Sequence, residues 1–153
     1  MSTGHEIAMA LRAAYLAMHR RSDATFARYG VTADQFVILA ALRGGCAVAQ
    51  RNLARRTVSD PNTVRAMLLL LEKRGFVART PDPSDGRVLS VALTPTGRKV
   101  YAALWKAGKP VRTRLLGSLG PGESQTLLDL VSRSMAPPDD RNSHSQDPSR
   151  TRS

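Results

Sequence analysis

The chain has 153 residues, of which 42% are hydrophobic, and this length and composition suit one compact domain. Lysine and arginine total 23 against 12 aspartate and glutamate residues, so the formal net charge is +11 and a polyanion is the first partner to consider. Cys46 is the only cysteine, which excludes an internal disulfide and a multi-cysteine zinc site, and the three histidines are too scattered to suggest a metal cluster. We therefore expect no metal and no cofactor.

The first predicted element is a long amphipathic helix over residues 5–30, which ends at Gly30. Its larger apolar residues recur at three- or four-residue steps with one longer gap, namely Ile7, Leu11, Tyr15, Met18, Phe26 and Tyr29. This spacing predicts one apolar face along the helix, which is available to a partner.

A capping box opens the second predicted helix, because Thr32 is followed three residues later by Gln35, ahead of a leucine-containing run. This helix is expected over about residues 33–43. The Gly44-Gly45 pair then breaks it, and a short third helix is expected over about residues 49–56.

Asp60 and Pro61 are a good cap and first residue for the fourth predicted helix, which ends at Gly75. At about 100° per residue, this helix has two distinct faces. Val64, Met67, Leu68 and Leu71 fall on one face, and Asn62, Arg65, Ala66, Leu69 and Lys73 fall on the opposite one. The third and fourth helices, separated by residues 57–59, form a helix-turn-helix candidate with an outward polar face.

The runs FVART and VLSVAL are short apolar or β-branched segments on either side of a PDPSDG turn. They predict an antiparallel hairpin, which would be the wing of a winged helix-turn-helix. Thr94-Pro95 opens a fifth helix, which Pro110 should kink or break near Gly108. A last helix is expected after Gly120-Pro121-Gly122. Residues 137–153 contain no apolar anchor for a core and are predicted to be disordered.

Several side chains of the helix-turn-helix candidate suit contacts with double-stranded DNA. Arg65 and Asn62 match guanine and adenine edges in the major groove, although a solvated helix face is the alternative. Thr63 and the backbone at Pro61 suit phosphate, because the first N–H groups of a helix point outward. Arg55 and Arg56 on the preceding helix are further candidate phosphate contacts, or are simply solvated.

Arg87 at the wing tip suits a narrow minor groove, where an arginine meets enhanced negative potential. Asp85, two residues earlier, has little reason to approach DNA alone. It is expected either to orient Arg87 or to cap the turn, and the sequence leaves both options open.

These segments together carry a family resemblance. The stretch LARRTVSDPNTVRAMLLLLEKRGFVARTPDPSDGRVLSVALTPTGR contains a leucine-rich helix ending in LEKRGFV, the wing motif Asp85-x-Arg87 and the helix start LTPTG. It resembles the DNA-binding region of the MarR family of bacterial transcriptional regulators, most strongly over residues 48–98 and in helix order from about 5 to 136. The resemblance implies a mainly α fold with a small β-hairpin wing, namely a winged helix-turn-helix plus a helical dimerisation region.

The resemblance also implies an organisation and a function. One MarR-like domain is expected over residues 1–136, in which residues 5–30 and 95–136 form the dimerisation region and residues 33–94 the winged helix-turn-helix. A homodimer would bind a palindromic operator, as a repressor released by a small and often aromatic ligand. Possible linings of the ligand pocket are Tyr15, His19, Phe36 and Trp105, each of which could instead be core.

The sequence departs from the family at two places. Pro110 and Gly108 interrupt the fifth helix, where the family runs a longer unbroken one. Cys46 follows the second helix, whereas peroxide-sensing members carry their reactive cysteine in the first, so a buried or inert thiol is expected.

Two other classes of function compete with a sequence-specific regulator. The net charge alone would permit a non-specific nucleic-acid-binding or architectural protein. An enzyme is not expected, because no acid–base pair or nucleophile constellation occurs at useful spacing. No apolar run approaches the roughly 18 residues of a transmembrane helix, and Arg12 interrupts the opening segment, so we expect a cytoplasmic protein without a membrane partner.

Overall fold

A computed structural model of the chain describes residues 2–136, which are mainly helical with one small antiparallel sheet. The helices are α1 (Thr3–Phe26), α2 (Ala33–Ala41), α3 (Gln50–Arg56), α4 (Pro61–Lys73), α5 (Pro95–Ala107), α6 (Lys109–Leu116) and α7 (Pro121–Ser134). A 3-10 turn, Ala27–Tyr29, extends α1. The strands are β1 (Val48–Ala49), β2 (Val77–Pro81) and β3 (Leu89–Leu93).

The chain divides into two compact units, Met1–Leu115 and Leu116–Ser153. The first unit contains all three strands of the sheet and every residue of the buried hydrophobic cluster. The described part of the second unit contains α7, whose leucines are exposed. The predicted disorder of residues 137–153 lies outside the described residues. None of the helices within residues 2–136 is both long and apolar enough to cross a membrane.

Three helices of the first unit begin at side-chain caps that the sequence predicts. At α2, the Thr32 hydroxyl accepts a hydrogen bond from the Gln35 N–H at 3.1 Å, and the Gln35 side chain accepts one from the Thr32 N–H. Asp60 caps α4 and Thr94 caps α5, each followed by proline in the first turn. These caps satisfy N–H groups that have no partner within the helix, so the helix starts are locally determined.

The sheet has the order β1-β3-β2. The predicted hairpin is confirmed, with Val77 opposite Leu93 and Pro81 opposite Leu89. The third strand was not predicted: β1 pairs with β3 through Val48 opposite Val91, immediately before α3 begins. Two residues are too few to show a strand periodicity, so only the long-range pairing reveals β1.

The core lies among α2, α3, α4, α5 and the sheet. Its most buried members are 0% exposed, namely Ile38, Leu39, Leu53, Leu68, Val91 and Leu104. The two predicted faces of α4 are confirmed, because Val64, Leu68 and Leu71 are buried and the opposite face is exposed. Since most of the core is inside the winged region, this region supplies its own hydrophobic stabilisation.

Two glycines mark the ends of α5, one by a close approach and the other by the boundary with α6. Gly97 in the first turn of α5 is buried against the Phe76 carbonyl, and a Cβ at this position would overlap that backbone group. At the other end, α5 stops at Ala107 and α6 begins after Gly108, whose carbonyl accepts the Arg112 N–H at 3.2 Å. The break predicted at Pro110 is therefore confirmed, and Pro110 falls in the first turn of α6, where a missing N–H costs nothing.

Arg74, directly after α4, joins that helix to the end of the α1 segment. Its guanidinium donates hydrogen bonds to the carbonyl oxygens of Tyr29, at 3.0 Å, and Gly30. The guanidinium also lies over the Phe76 ring, 4.7 Å from its centroid. Gly30 has a φ of 66°, the left-handed conformation that ends a helix at low cost only for glycine.

Candidate nucleic-acid interface and apolar cavity

The outward face of α4 begins at a capped N-terminus. The Asp60 carboxylate accepts the Thr63 N–H at 3.1 Å, and the Thr63 hydroxyl lies 3.5 Å from the same oxygen. The Thr63 N–H, which was predicted to bind phosphate, therefore already donates its hydrogen bond to Asp60. Asn62 and Arg65 are exposed on the face that turns away from the core.

A cleft of about 340 Å³ brings this face together with the wing. Its walls are formed by Gln50, Arg51, Pro61, Asn62, Arg65, Arg87, Val88 and Leu89. Four predicted contact residues, Pro61, Asn62, Arg65 and Arg87, therefore share one concave surface. Arg51 was missed by the sequence analysis, because its position beside the wing depends on the pairing of β1 with β3.

Hydrogen bonds hold the wing tip in a defined turn. Asp82 Oδ1 accepts from the Ser84 N–H at 2.8 Å and the Ser84 hydroxyl at 2.5 Å. These bonds lower the pKa of the Asp82 carboxyl, and the bond from the Ser84 hydroxyl has the largest effect. The Asp82 N–H donates to the Val88 carbonyl at 2.7 Å, which closes the loop between β2 and β3.

Asp85 performs both of the roles left open by the sequence. Its Oδ1 atom accepts the Arg87 backbone N–H at 3.1 Å and the Arg87 Nε–H at 3.3 Å. The first bond caps the turn and the second orients the guanidinium. The Arg87 side chain is 92% exposed, so the oriented cation projects into solvent from the edge of the cleft.

The arginines of α3 take different places. Arg55 is exposed and lines a shallow groove with Arg51, Val58 and Pro61, next to the cleft. Arg56 is exposed but lines neither the groove nor the cleft. Free cations at these positions are compatible with phosphate contacts outside the concave surface.

Arg79 of β2, in contrast, is committed to the protein. It donates to both Glu72 carboxylate oxygens, at 3.1 and 3.2 Å, and lies 3.5 Å from the Gln50 side chain. These bonds from Arg79 lower the pKa of Glu72. The pair links α4 to the wing and fixes the relative position of the two elements that line the cleft.

A separate cavity of about 210 Å³ lies among α1, α2, α5 and α6. All four predicted pocket residues line it, namely Tyr15, His19, Phe36 and Trp105. The Phe36 ring packs 4.8 Å from the Phe26 centroid and 5.8 Å from that of Tyr101, so one wall of the cavity is aromatic.

The polar side chains at this cavity form two groups, one around His19 and the other at Arg112. His19 is placed between two carboxylates, 3.4 Å from Asp23 and 3.2 Å from Asp34. Arg112 lies over the Trp105 ring, 3.6 Å from its centroid, and donates to the Trp105 carbonyl at 2.9 Å. Arg112 was not predicted as a cavity residue, because its approach to Trp105 depends on the break between α5 and α6.

Comparison with known proteins decides the family. The family profile described as the MarR family matches residues 31–89. The transcriptional regulator HosA of Escherichia coli is 33% identical over 105 residues, which are 69% of this chain and 78% of HosA. The chain belongs to the MarR family.

Two further relatives extend this MarR-family match. The HTH-type transcriptional repressor NicR of Pseudomonas putida is 34% identical over 101 residues, which are 66% of this chain and 64% of NicR. The structure of Bordetella bronchiseptica BpsR, which describes how 6-hydroxynicotinic acid regulates DNA binding by that protein, has a TM-score of 0.77 and 31% identity. It covers 89% of this chain and 95% of BpsR. The MarR-family chain is thus a DNA-binding transcriptional regulator and not an enzyme.

Cys46 of this MarR-family chain lies in the segment between α2 and β1 and is exposed. Of the two expected alternatives, a buried or an inert thiol, burial is therefore wrong. The Gly44-Gly45 pair ends α2 in a turn, with φ of 81° at Gly45, and this turn carries the following residue away from the core. No group of three or more metal-binding side chains occurs within the described part of the chain.

Proposed function

We propose that the protein is a repressor that binds a palindromic operator as a homodimer and is released by a small aromatic acid. The observation that carries the proposal is the single cleft shared by Asn62, Arg65 and Arg87. The face of α4 carries side chains suited to base edges in a major groove, and Arg87 of the wing is a cation suited to the minor groove. Because both line one concave surface, they can contact adjacent grooves of one duplex.

The exposed apolar face of α1 supports dimerisation. Ile7, Leu11 and Tyr15, which follow one another at four-residue steps, are between 44% and 55% exposed, although each is a large apolar or aromatic side chain. A helix that leaves such a face in water is typical of a subunit interface. Taken by itself, α7 of the second unit has the same property, with Leu127, Leu128 and Leu130 between 42% and 59% exposed.

Within each subunit, we assign base reading to Asn62 and Arg65 and minor-groove insertion to Arg87. Phosphate contacts are assigned to Arg55, Arg56 and the start of α4 at Pro61 and Thr63, where the positive end of the helix dipole adds to the attraction. For Thr63 the hydroxyl is assigned to phosphate, because its 3.5 Å bond to Asp60 is long and can be exchanged, whereas the N–H is held by Asp60 at 3.1 Å.

We assign the apolar cavity among α1, α2, α5 and α6 to the effector. Its aromatic wall suits a planar ring, and the Arg112 guanidinium suits a carboxylate, with which it forms charge-assisted hydrogen bonds. The Asp34 carboxylate, which also lines the cavity, can accept a hydrogen bond from a hydroxyl or N–H group on the ring of the effector. Because α1, α2 and α5 all contribute walls, an occupant changes the position of the winged region relative to α1. The effector of BpsR, 6-hydroxynicotinic acid, carries both groups.

The DNA-binding proposal is tested by competition between duplexes selected from a random library and bulk genomic DNA. Arg65→Ala should cost roughly 1–3 kcal/mol on the selected duplex and much less on bulk DNA, because a bidentate base contact is lost. Equal losses on both DNAs would identify Arg65 as a phosphate contact. A wild-type protein that enriches no duplex would support a non-specific nucleic-acid-binding protein instead.

Asp85 provides the second part of this test. Asp85→Ala should weaken binding to the selected duplex, because the Arg87 guanidinium loses the bond that orients it. Arg87→Ala should weaken binding strongly and lower the salt slope by about one unit. Tighter binding of Asp85→Ala would mean that the carboxylate acts only by repelling phosphate.

The effector proposal is tested with 6-hydroxynicotinic acid and benzoic acid as release agents for bound duplex. Arg112→Ala should raise the concentration for half release by roughly tenfold, the effect of one charge-assisted hydrogen bond. Arg114→Ala is the matched control, because Arg114 belongs to the same helix and does not line the cavity. Equal sensitivity of both variants would place the effector elsewhere.

A further inference from the structure

Val58, in the turn between α3 and α4, combines two unfavourable features. It has a φ of 50° and is the only residue other than glycine with a positive φ among residues 2–136. It is also 81% exposed, more than any other exposed large hydrophobic side chain in that range. A β-branched residue in the left-handed region is a genuine outlier, and such backbone strain is concentrated at functional sites.

The turn itself is firmly held by hydrogen bonds on both sides of Val58. The Ser59 N–H donates to the Ala54 carbonyl at 3.0 Å, and the Thr57 hydroxyl donates to the Leu53 carbonyl at 2.7 Å. Only the Ser59 bond spans Val58, and it closes the turn with residue 58 in the left-handed conformation, which glycine or asparagine would adopt at less cost. Among residues 2–136, no packing of the isopropyl group offsets this strain, since the side chain is largely exposed.

The position of Val58 indicates what its side chain contacts. It lines the shallow groove together with Arg51, Arg55 and Pro61, and two of these, Arg51 and Pro61, also line the cleft that contains Arg65 and Arg87. The groove is therefore continuous with the proposed DNA-binding surface and is flanked by cations. On the major-groove edges of a duplex, the apolar group is the 5-methyl of thymine.

We propose that Val58 is a specificity-determining residue whose side chain contacts a thymine methyl group at the edge of each half-site. The inference rests on the proposed operator binding and adds a base preference that neither Asn62 nor Arg65 supplies. The strained conformation is retained because it directs an apolar group toward DNA at the point where α4 begins.

The test uses a duplex selected by the wild-type protein, with each thymine of one half-site replaced singly by deoxyuridine, which lacks the methyl group. At one position the wild type should bind the uracil duplex roughly three- to fivefold more weakly, the effect of about one buried methyl group. Val58→Gly should bind the thymine duplex about as weakly and should be insensitive to this replacement. Its Tm should rise, by roughly 2–8 °C, because the strain is relieved.

Val58→Asn is the matched variant, because asparagine tolerates the left-handed region while keeping a side chain that restricts the turn. It should also raise the Tm and be insensitive to uracil. The inference is overturned if Val58→Gly and Val58→Asn keep wild-type affinity, or if they respond to uracil as the wild type does. A wild-type protein that selects no duplex would overturn the proposed function and this inference together, whereas selection without a uracil effect overturns only the inference.

Discussion

Helices α1 and α4 both carry a periodic row of large apolar residues, but the two rows have different surroundings. On α4, Val64, Leu68 and Leu71 are at most 1% exposed, because α3, β2 and the rest of the core cover them. On the first half of α1, Ile7 and Leu11 are 55% and 44% exposed. The comparison teaches that periodicity identifies an apolar face, while only the tertiary structure shows whether the chain itself covers it.

The largest effect is expected inside the covered row. Leu68→Ala should lower the free energy of unfolding by roughly 2–5 kcal/mol, because it leaves a cavity at a 0% exposed site. Urea unfolding at fixed protein concentration measures this change. The control is Leu69→Ala on the same helix, 46% exposed, which should change stability by less than about 1 kcal/mol. Similar losses for both variants would contradict the division of α4 into two faces.

A smaller effect, and one of a different kind, is expected for the exposed row of α1. Leu11→Asp should raise the dimer dissociation constant by at least about tenfold, because it places a charge in the proposed subunit interface. Sedimentation at micromolar concentration measures the change, and circular dichroism should show retained helix. Arg12→Asp changes the charge more but leaves the row of Ile7, Leu11 and Tyr15 intact, so it should remain dimeric. A monomeric wild-type protein would contradict the proposal that the exposed row of α1 is covered by a second subunit.

The smallest effect concerns the ion pair that joins α4 to the wing. Because Arg79 lowers the pKa of Glu72 below its usual 4.5, the pair contributes stability above that pH and loses it as the pH falls through the lowered pKa. Glu72→Gln should therefore flatten the dependence of Tm on pH between roughly 5 and 3. Glu6→Gln is the control, since Glu6 forms no ion pair within residues 2–136. An unchanged profile for Glu72→Gln would mean that the pair contributes nothing measurable.

The sequence predicts most accurately those features that depend on nearby residues. The starts of α2, α4 and α5 follow from Thr32, Asp60 and Thr94, whose side chains cap N–H groups three residues away. The break between α5 and α6 follows from Pro110 in the same way. The two faces of α4 follow from its period, so the exposure of Asn62 and Arg65 is also predictable.

Features that depend on distant pairing were not predictable in this way. Strand β1 is defined only by its partner β3, about forty residues later, and that pairing places Arg51 beside the wing. Arg112 joins the cavity through its contact with Trp105. The strain at Val58 depends on backbone hydrogen bonds that do not follow from residue type, since valine is usually a strand former. Of the two alternatives for Cys46, burial was wrong, because the turn at Gly45 carries the residue away from the core.

The Arg74 bonds to the Tyr29 and Gly30 carbonyls make the C-terminal end of α4 a point about which the helix can rotate. They attach the helix at its C-terminal end to the chain that continues from α1, whereas Asn62 lies at the opposite end. Thirteen residues at 1.5 Å each make an arm of about 20 Å, so a rotation of about 5° at the pivot moves the N-terminus by about 1.7 Å. Such a displacement exceeds the tolerance of a hydrogen bond to a base edge. A small angular change at the end of α1 would thereby be magnified at Asn62, the residue proposed to read a base.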